Sequence, residues 1–260
     1  MNDRASTAII NYLAIIPARS GSKGIIDKNI QMIGNKTLIQ LCVECANAVP
    51  EIDGIFFSSD SQQYIDIYKS IASPKDITGT YIRAPQSASD TAPATSYIDD
   101  CIRHLRALHI RVNNFIILQV TSPLRSPTDI TRAIHAYASH NKTSLIAVSE
   151  PWNHPRNCVR YEPIYDDTDN KLGKIAMNDS NDNRNSDAPT RRQDYEKTVC
   201  INGSLYIKNV QEYIISGTIK DDNTMLFVTD KLRSIDIDDK DDFLIASMIY
   251  GTLNGGADGN

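Results

Sequence analysis

Four short runs of uninterrupted apolar residues constrain this chain more than any other feature. They are Leu13-Ala14-Ile15-Ile16, Ile55-Phe56-Phe57, Phe115-Ile116-Ile117-Leu118 and Leu145-Ile146-Ala147-Val148. Each is too short for a helix, and none alternates with polar residues. Such runs suit parallel strands buried on both faces. Helical patterns lie between them. Leu38, Leu41, Cys42, Cys45, Ala46 and Val49 share one helical face, and Ile98, Cys101, Ile102 and Leu105 share another. Ser126-Pro127-Thr128-Asp129 reads as a capping box with Pro at the first helical position, followed at helical spacing by Ile130, Ala133, Ile134, Tyr137 and Ala138. Alternation of this kind implies an α/β fold, a mostly parallel sheet flanked by helices. Ligands of such sheets bind at loops beyond the carboxyl ends of the strands.

The pattern breaks after Glu150. Residues 151–164 carry three prolines and no helical period, and residues 178–194 are almost wholly polar. Regular structure is expected again at Ser204-Leu205-Tyr206-Ile207 and at Ser234-Ile235-Asp236-Ile237-Asp238. A last helix carries Phe243, Ala246, Tyr250 and Leu253.

Composition excludes several classes. The formal charge of −5 argues against non-specific nucleic-acid binding, which depends on basic surface. No apolar stretch approaches the roughly 20 residues of a membrane span. The apolar run from Ala8 to Ala18 is interrupted by Asn11 and Tyr12 and turns Gly/Ser-rich at once, so it reads as a buried first strand rather than a secretory signal. Cys42 and Cys45 form a C-x-x-C pair, but they fall on the apolar face of a helix and no second pair completes a zinc site. They read as core residues of a protein in a reducing compartment, the cytoplasm. The only tryptophan, Trp152, reads as a packing residue.

The loop after the first strand is the richest in chemistry: Pro17-Ala18-Arg19-Ser20-Gly21-Ser22-Lys23-Gly24, then Lys28-Asn29. Small residues let a backbone approach a ligand and expose its N–H groups. Arg19, Lys23 and Lys28 add cations, and free N–H groups plus cations are what a polyphosphate needs. The loop is neither a Walker A sequence nor a dinucleotide fingerprint. Its bland alternative is a solvated basic turn.

These residues resemble the opening signature of the acylneuraminate cytidylyltransferases, the CMP-sialic acid synthetases. Further motifs of that family follow in order. Arg83-Ala84-Pro85 precedes Ala88-Ser89-Asp90-Thr91-Ala92. Leu118-Gln119-Val120-Thr121-Ser122-Pro123-Leu124-Arg125 is similar to its Q-x-T-S-P-L-R motif. Arg192-Gln193 and Asn202-Gly203-Ser204-Leu205-Tyr206-Ile207 resemble its R-Q and N-G segments, and Ser234 to Asp238 its S-[IV]-D-I-D motif. The resemblance implies a nucleotide-diphospho-sugar-transferase-like fold. It implies transfer of CMP from CTP to the anomeric hydroxyl of an acidic nine-carbon sugar, with release of pyrophosphate. It also implies a homodimer with a small dimerisation insertion. The expected organisation is a nucleotide-binding catalytic domain over residues 1–150 and 196–254, the insertion over 151–195 and a flexible tail over 255–260.

By the same resemblance Arg19 and Lys23 serve the triphosphate, assisted by Lys28, on a loop that includes Ala18 and Ser22. Asn29, Arg83 and Ser89 contact the cytidine. Gln119, Thr121 and Ser122 hydrogen-bond the sugar, and Arg192 meets its carboxylate or a phosphate. Asp236 and Asp238 are the candidates for holding Mg²⁺. In an extended segment their Cα atoms lie roughly 6.6–6.8 Å apart on one face, and magnesium favours one or two carboxylates plus phosphate oxygens and water. Helix capping competes for acidic residues here, and that role is assigned to Asp239, with Asp241 and Asp242 at the positive end of the last helix. Two stretches depart from the family pattern: Asp194 to Val199, where many relatives carry Leu-Pro, and Arg156 after His154-Pro155, where a Lys is frequent. Both lie where sugar specificity is expected, so sialic, legionaminic and pseudaminic acids all stay open. The rival readings are a Kdo cytidylyltransferase, whose opening loop lacks S-K-G, and a non-catalytic nucleotide-binding module, which would have lost the phosphate or metal residues.

Overall fold

A computed structural model describes residues 8–79, 81–88, 92–93, 95–140, 142–158, 161–163, 173–175 and 195–255. The chain falls into two compact units, Met1–Ser149 with Ile201–Asn260, and Glu150–Cys200.

The apolar runs become the strands of a six-stranded sheet. The strands are β1 (Ala8–Pro17), β2 (Gly54–Ser58), β3 (Ile110–Ile117), β4 (Ser144–Ser149), β5 (Cys200–Asn209) and β6 (Thr224–Val228), in the order β6-β4-β5-β3-β1-β2. Pairing is parallel between β1 and β2, β1 and β3, and β4 and β6; β5 runs antiparallel to β3. Register places Ile15 beside both Phe56 and Ile117. Ala14, Ile15, Phe56, Phe57 and Ile116 are fully buried, as continuous apolar strands require.

Successive residues of β1 face opposite ways. Ala14 and Ile16 pack with α1 (Leu38–Asn47), α2 (Gln62–Ser70), α4 (Pro127–Ser139) and α6 (Lys240–Gly255). Leu13 and Ile15 pack on the other side with α3 (Ser96–Ala107) and α5 (Val210–Ser216). Thr37 and Gln40 form a reciprocal capping box at the start of α1, and Ser126 caps α4. Cys42 and Cys45 are core residues whose thiols donate to the carbonyls of Leu118 and Arg125 at 3.6 and 3.5 Å. Burial pushes both thiols up, that of Cys45 to about 12.

Two features differ from expectation. The edge strand β6 was not anticipated: only Met225 and Phe227 pack inward, while Leu226 and Val228 are exposed. Residues Ser234 to Asp238 do not join the sheet. A 3₁₀ turn, Leu232–Ser234, leads into an extended segment tied to the strand ends by Ile237 N–H donating to the Thr121 carbonyl at 2.9 Å.

The second unit contains an antiparallel pairing of Tyr161–Pro163 with Gly173–Ile175. His154 begins a 3₁₀ turn, Pro155–Asn157, and its ring lies 4.6 Å from that of Tyr195. Trp152, expected to be a packing residue, is 54 % exposed. The polar stretch 178–194 and the tail beyond 255 lie outside the described residues. Among the described residues no helix is long and apolar enough to cross a membrane.

Candidate active site

The carboxyl ends of β1 and β3 open on a cavity of about 490 Å³. The β1 loop forms one wall. Ala18 is fully buried, and its N–H donates to the Ser58 carbonyl at 2.9 Å, so the sheet still governs it. The Arg19–Ser20 peptide unit is held at both ends. The Asn29 side-chain amide donates to the Arg19 carbonyl at 3.0 Å, and the Ser20 N–H donates to Asp60 Oδ1 at 2.8 Å. The Ser20 hydroxyl donates to the other oxygen of Asp60, also at 2.8 Å. Gly21 then adopts the left-handed region at φ +73° that favours glycine.

The loop meets the aspartate segment directly. A Cβ on Gly24 would lie 2.4 Å from the Asp238 carbonyl oxygen. The Lys28 ammonium donates to the Ile237 carbonyl and stands 3.5 Å from the Asp238 carboxylate. Ile235 and Ile237 point into the core, which turns the carboxylates of Asp236 and Asp238 to the opposite side. Asp239 Oδ1 accepts the N–H groups of Asp241 and Asp242 at 2.9 and 3.0 Å, and Asp242 accepts those of Asp238 and Asp239. Capping of α6 thus falls on Asp239 and Asp242.

Asp236 is half-buried, with the Ser122 hydroxyl 3.5 Å away. Burial raises its carboxyl above the ordinary aspartate value, and the like charge of Asp238 adds to this. A hydrogen bond from Thr121 and the charges of Lys28 and Arg125 oppose the shift.

On the other wall, Arg83 is buried and donates from Nε to the Ser58 hydroxyl at 3.0 Å and from Nη2 to the Ser58 carbonyl at 2.6 Å. Its guanidinium lies 5.3 Å from the centre of the Tyr97 ring. Burial lowers its pKa. Gln119 and Thr121 complete the lining at the end of β3.

Of the residues expected to form the site, Arg19, Ser22, Lys23, Lys28, Asn29, Arg83, Gln119, Thr121 and Asp238 line the cavity. Ala18, Ser122 and Asp236 are not among its lining residues. Ser89 and Arg192 lie outside the described residues. Among the described residues the lining carries four cations, Arg19, Lys23, Lys28 and Arg83, against one acid, Asp238, a balance suited to a polyanion.

Three contributors escaped sequence reasoning. Asp60 was one acid among many, and only the neighbouring strand end gives it a role. Arg125 closes the quoted Q-x-T-S-P-L-R motif, yet it braces backbone: it donates to the carbonyls of Ser122 at 3.1 Å, Ser204 at 2.7 Å and Gln119. Gly203 sits at φ +72°, and a Cβ there would lie 2.8 Å from Asp236 Oδ2 and 3.0 Å from Gln119 Oε1. The Asn-Gly pair was the available signal for that close approach.

The family described as Cytidylyltransferase matches residues 13–235. The chain is 31 % identical over 234 residues to an N-acylneuraminate cytidylyltransferase of Streptococcus agalactiae, covering 89 % of this chain and 51 % of that protein. It therefore spans about half the length of the first curated relatives it matches. It is 25 % identical over 241 residues to the CMP-N,N'-diacetyllegionaminic acid synthase of Legionella pneumophila, covering 92 % of this chain and 96 % of that protein. Among solved structures, a CMP:2-keto-3-deoxy-manno-octonic acid synthetase complexed with CTP aligns with a TM-score of 0.61 at 13 % identity, covering 94 % of this chain and 99 % of that one, a likeness of fold.

Proposed function

The chain belongs to the cytidylyltransferase family, and from that premise we propose that it transfers CMP from CTP to the anomeric hydroxyl of an acidic nine-carbon sugar of the sialic, legionaminic or pseudaminic class. One observation carries this reading: the β1 loop and the Asp236–Asp238 segment meet at a single cation-lined cavity, through Gly24 against Asp238 and Lys28 against Ile237.

In the proposed reaction the sugar oxygen bonds to the α-phosphorus as the bridge to the β-phosphate breaks. Pyrophosphate leaves with the bonding electrons, and the hydroxyl proton is released. Such transfer depends on alignment and on neutralising phosphate charge. Arg19 and Lys23 hold the triphosphate, and Lys28 fixes the acidic segment beside it. Arg83 and Asn29 shape the cytidine side, and Gln119 and Thr121 orient the sugar. Ser89 and Arg192 are assigned to cytidine and to the sugar carboxylate, respectively.

The donor set fits a magnesium ion. Two carboxylates project from the same side of one extended segment, and the charge of Asp238 raises the cost of charging Asp236. Asp236 and Asp238 would hold Mg²⁺, with phosphate oxygens and water as its other ligands. When bound, the ion supplies charge neutralisation on the triphosphate. We further propose a homodimer in which the second unit contributes to assembly, and a cytoplasmic location, which the buried free thiols of Cys42, Cys45 and Cys101 support.

The test is incubation with CTP, Mg²⁺ and a panel of N-acetylneuraminate, legionaminate, pseudaminate and Kdo, read as pyrophosphate release and the phosphorus NMR spectrum of the product. Release with a nine-carbon acid is expected. Release only with Kdo, or with none of the panel, would overturn the reading.

A further inference from the structure

We infer that Asp60 is a positioning residue of the triphosphate loop. The inference rests on the CTP reading above. Asp60 follows β2, and both of its carboxylate oxygens go to one residue 40 positions away: Oδ1 accepts the Ser20 N–H and Oδ2 the Ser20 hydroxyl, each at 2.8 Å. The Ser20 N–H belongs to the same peptide unit as the Arg19 carbonyl, which accepts from Asn29 Nδ2 at 3.0 Å. One peptide plane is therefore clamped at its oxygen by Asn29 and at its nitrogen by Asp60. The clamp sets ψ of Arg19 and φ of Ser20, the two torsions that decide where the Arg19 side chain leaves the loop and how the chain enters Gly21.

The alternatives account for less. Asp60 is not the cap of α2, because Ser61 accepts the Tyr64 N–H there. As a bare charge it would work against the site, since a carboxylate beside a polyphosphate loop repels the ligand. Its charge does face Arg83, which is already bonded to Ser58. A bidentate hydrogen bond to the loop is the role that offsets the unfavourable charge. Charge-assisted bonds of this kind are short and directional, and so fix geometry.

The test compares wild type, Asp60→Ala, Asp60→Asn and Ser20→Ala, then Asp60→Ala in an Arg19→Ala background. CTP affinity is measured by titration calorimetry, and KM for CTP and kcat by pyrophosphate release. An asparagine oxygen still accepts the Ser20 N–H, so Asp60→Asn is expected to stay within about threefold of wild type. Asp60→Ala is expected to weaken CTP binding and raise its KM roughly 10- to 100-fold, the scale of a catalytic group misplaced by an ångström. Ser20→Ala, which keeps the N–H bond and loses the hydroxyl bond, is expected to shift both by a smaller amount in the same direction. In the Arg19→Ala background, Asp60→Ala is expected to add less than threefold, because its effect passes through Arg19. Wild-type affinity in Asp60→Ala would overturn the inference. So would an Asp60→Asn as weak as Asp60→Ala, or full additivity with Arg19→Ala. Should Asp60→Ala not fold, Ser20→Ala with unchanged CTP affinity would overturn it. Failure of the wild-type protein to bind CTP would sink the functional reading itself, a result distinct from wild-type binding that Asp60→Ala leaves intact.

Discussion

Lys28 and Asp238 are separated by 210 positions in sequence and by 3.5 Å between ammonium and carboxylate. Asp238 is 85 % exposed and Lys28 only 12 %, so the ion pair itself adds little to stability. Its significance is positional, because the same ammonium donates to the Ile237 carbonyl and holds the aspartate segment against the β1 loop. Lys28→Ala is expected to lower kcat/KM for CTP by about 10²–10³-fold. The free energy of unfolding should fall by no more than the loss of one or two hydrogen bonds, about 1–2 kcal/mol. Steady-state kinetics alongside calorimetric melting measure both.

Gly24 tests the same junction by steric means. A methyl group there would collide with the Asp238 carbonyl oxygen, a backbone atom that cannot swing aside as a flexible side chain could. Gly24→Ala is expected to cost about 1–3 kcal/mol, as overpacking does, and to reduce activity more than stability by parting the loop from the aspartates. Gly251→Ala is the control. It lies within α6 with nothing within 4 Å of the added carbon, and is expected to stabilise by up to about 1 kcal/mol through helix propensity. Equal melting temperatures for the two variants would contradict this account.

Much of this arrangement was legible in the sequence. The apolar runs at Leu13, Ile55, Phe115 and Leu145 declared buried parallel strands, and the Gly/Ser-rich loop after the first of them lies at the carboxyl edge where such sheets bind ligands. The split among the acidic residues near the end was also readable, because Ile235 and Ile237 fix the phase that sets Asp236 and Asp238 apart from the capping Asp239. What escaped depended on tertiary neighbours. The edge strand β6 buries one face only, through Met225 and Phe227, so its short pattern carries little signal. The antiparallel direction of β5 is set by the chain's path. Asp60 and Arg125 act on backbone groups of distant segments, and no local spacing announces that.

The raised carboxyl of Asp236 gives a signed pH prediction. A group whose folded pKa lies above its unfolded value favours the fold below the unfolded value, and that contribution is lost as pH rises through the folded one. At pH 7.5 the ionised, half-buried Asp236 therefore destabilises the protein. Asp236→Asn, with a chelator present, is expected to melt at a higher temperature than wild type at pH 7.5. The difference should shrink as pH falls towards the ordinary aspartate range near 4. The same variant should lose about 10²–10³-fold in turnover. A lower melting temperature at pH 7.5 would show that its hydrogen bonds outweigh its burial.

A buried cation far from the site gives the last prediction. Lys208 lies in β5 with its side chain fully buried, and its ammonium donates to Asp221 Oδ2 at 2.6 Å. Asp221 also accepts the Asn223 N–H at 2.9 Å and the Thr143 hydroxyl at 3.1 Å, so it ties the turn before β6 to the sheet. The bond from Lys208 holds its carboxyl below the usual aspartate value. Removing one partner of a buried pair strands the other charge, which typically costs about 3–5 kcal/mol. Asp221 is 32 % exposed, so water relieves part of that cost and roughly 2–3 kcal/mol is expected for Asp221→Asn. Lys208→Met, which removes the buried charge and keeps the volume, should cost less. Because the folded carboxyl is depressed, the pair's contribution is present above the unfolded value and fades as pH falls through the folded one. The gap between wild type and Asp221→Asn should therefore narrow in acid. Neither residue lines the cavity, so KM for CTP should stay unchanged in both variants, and a large change in KM would place this pair in communication with the site.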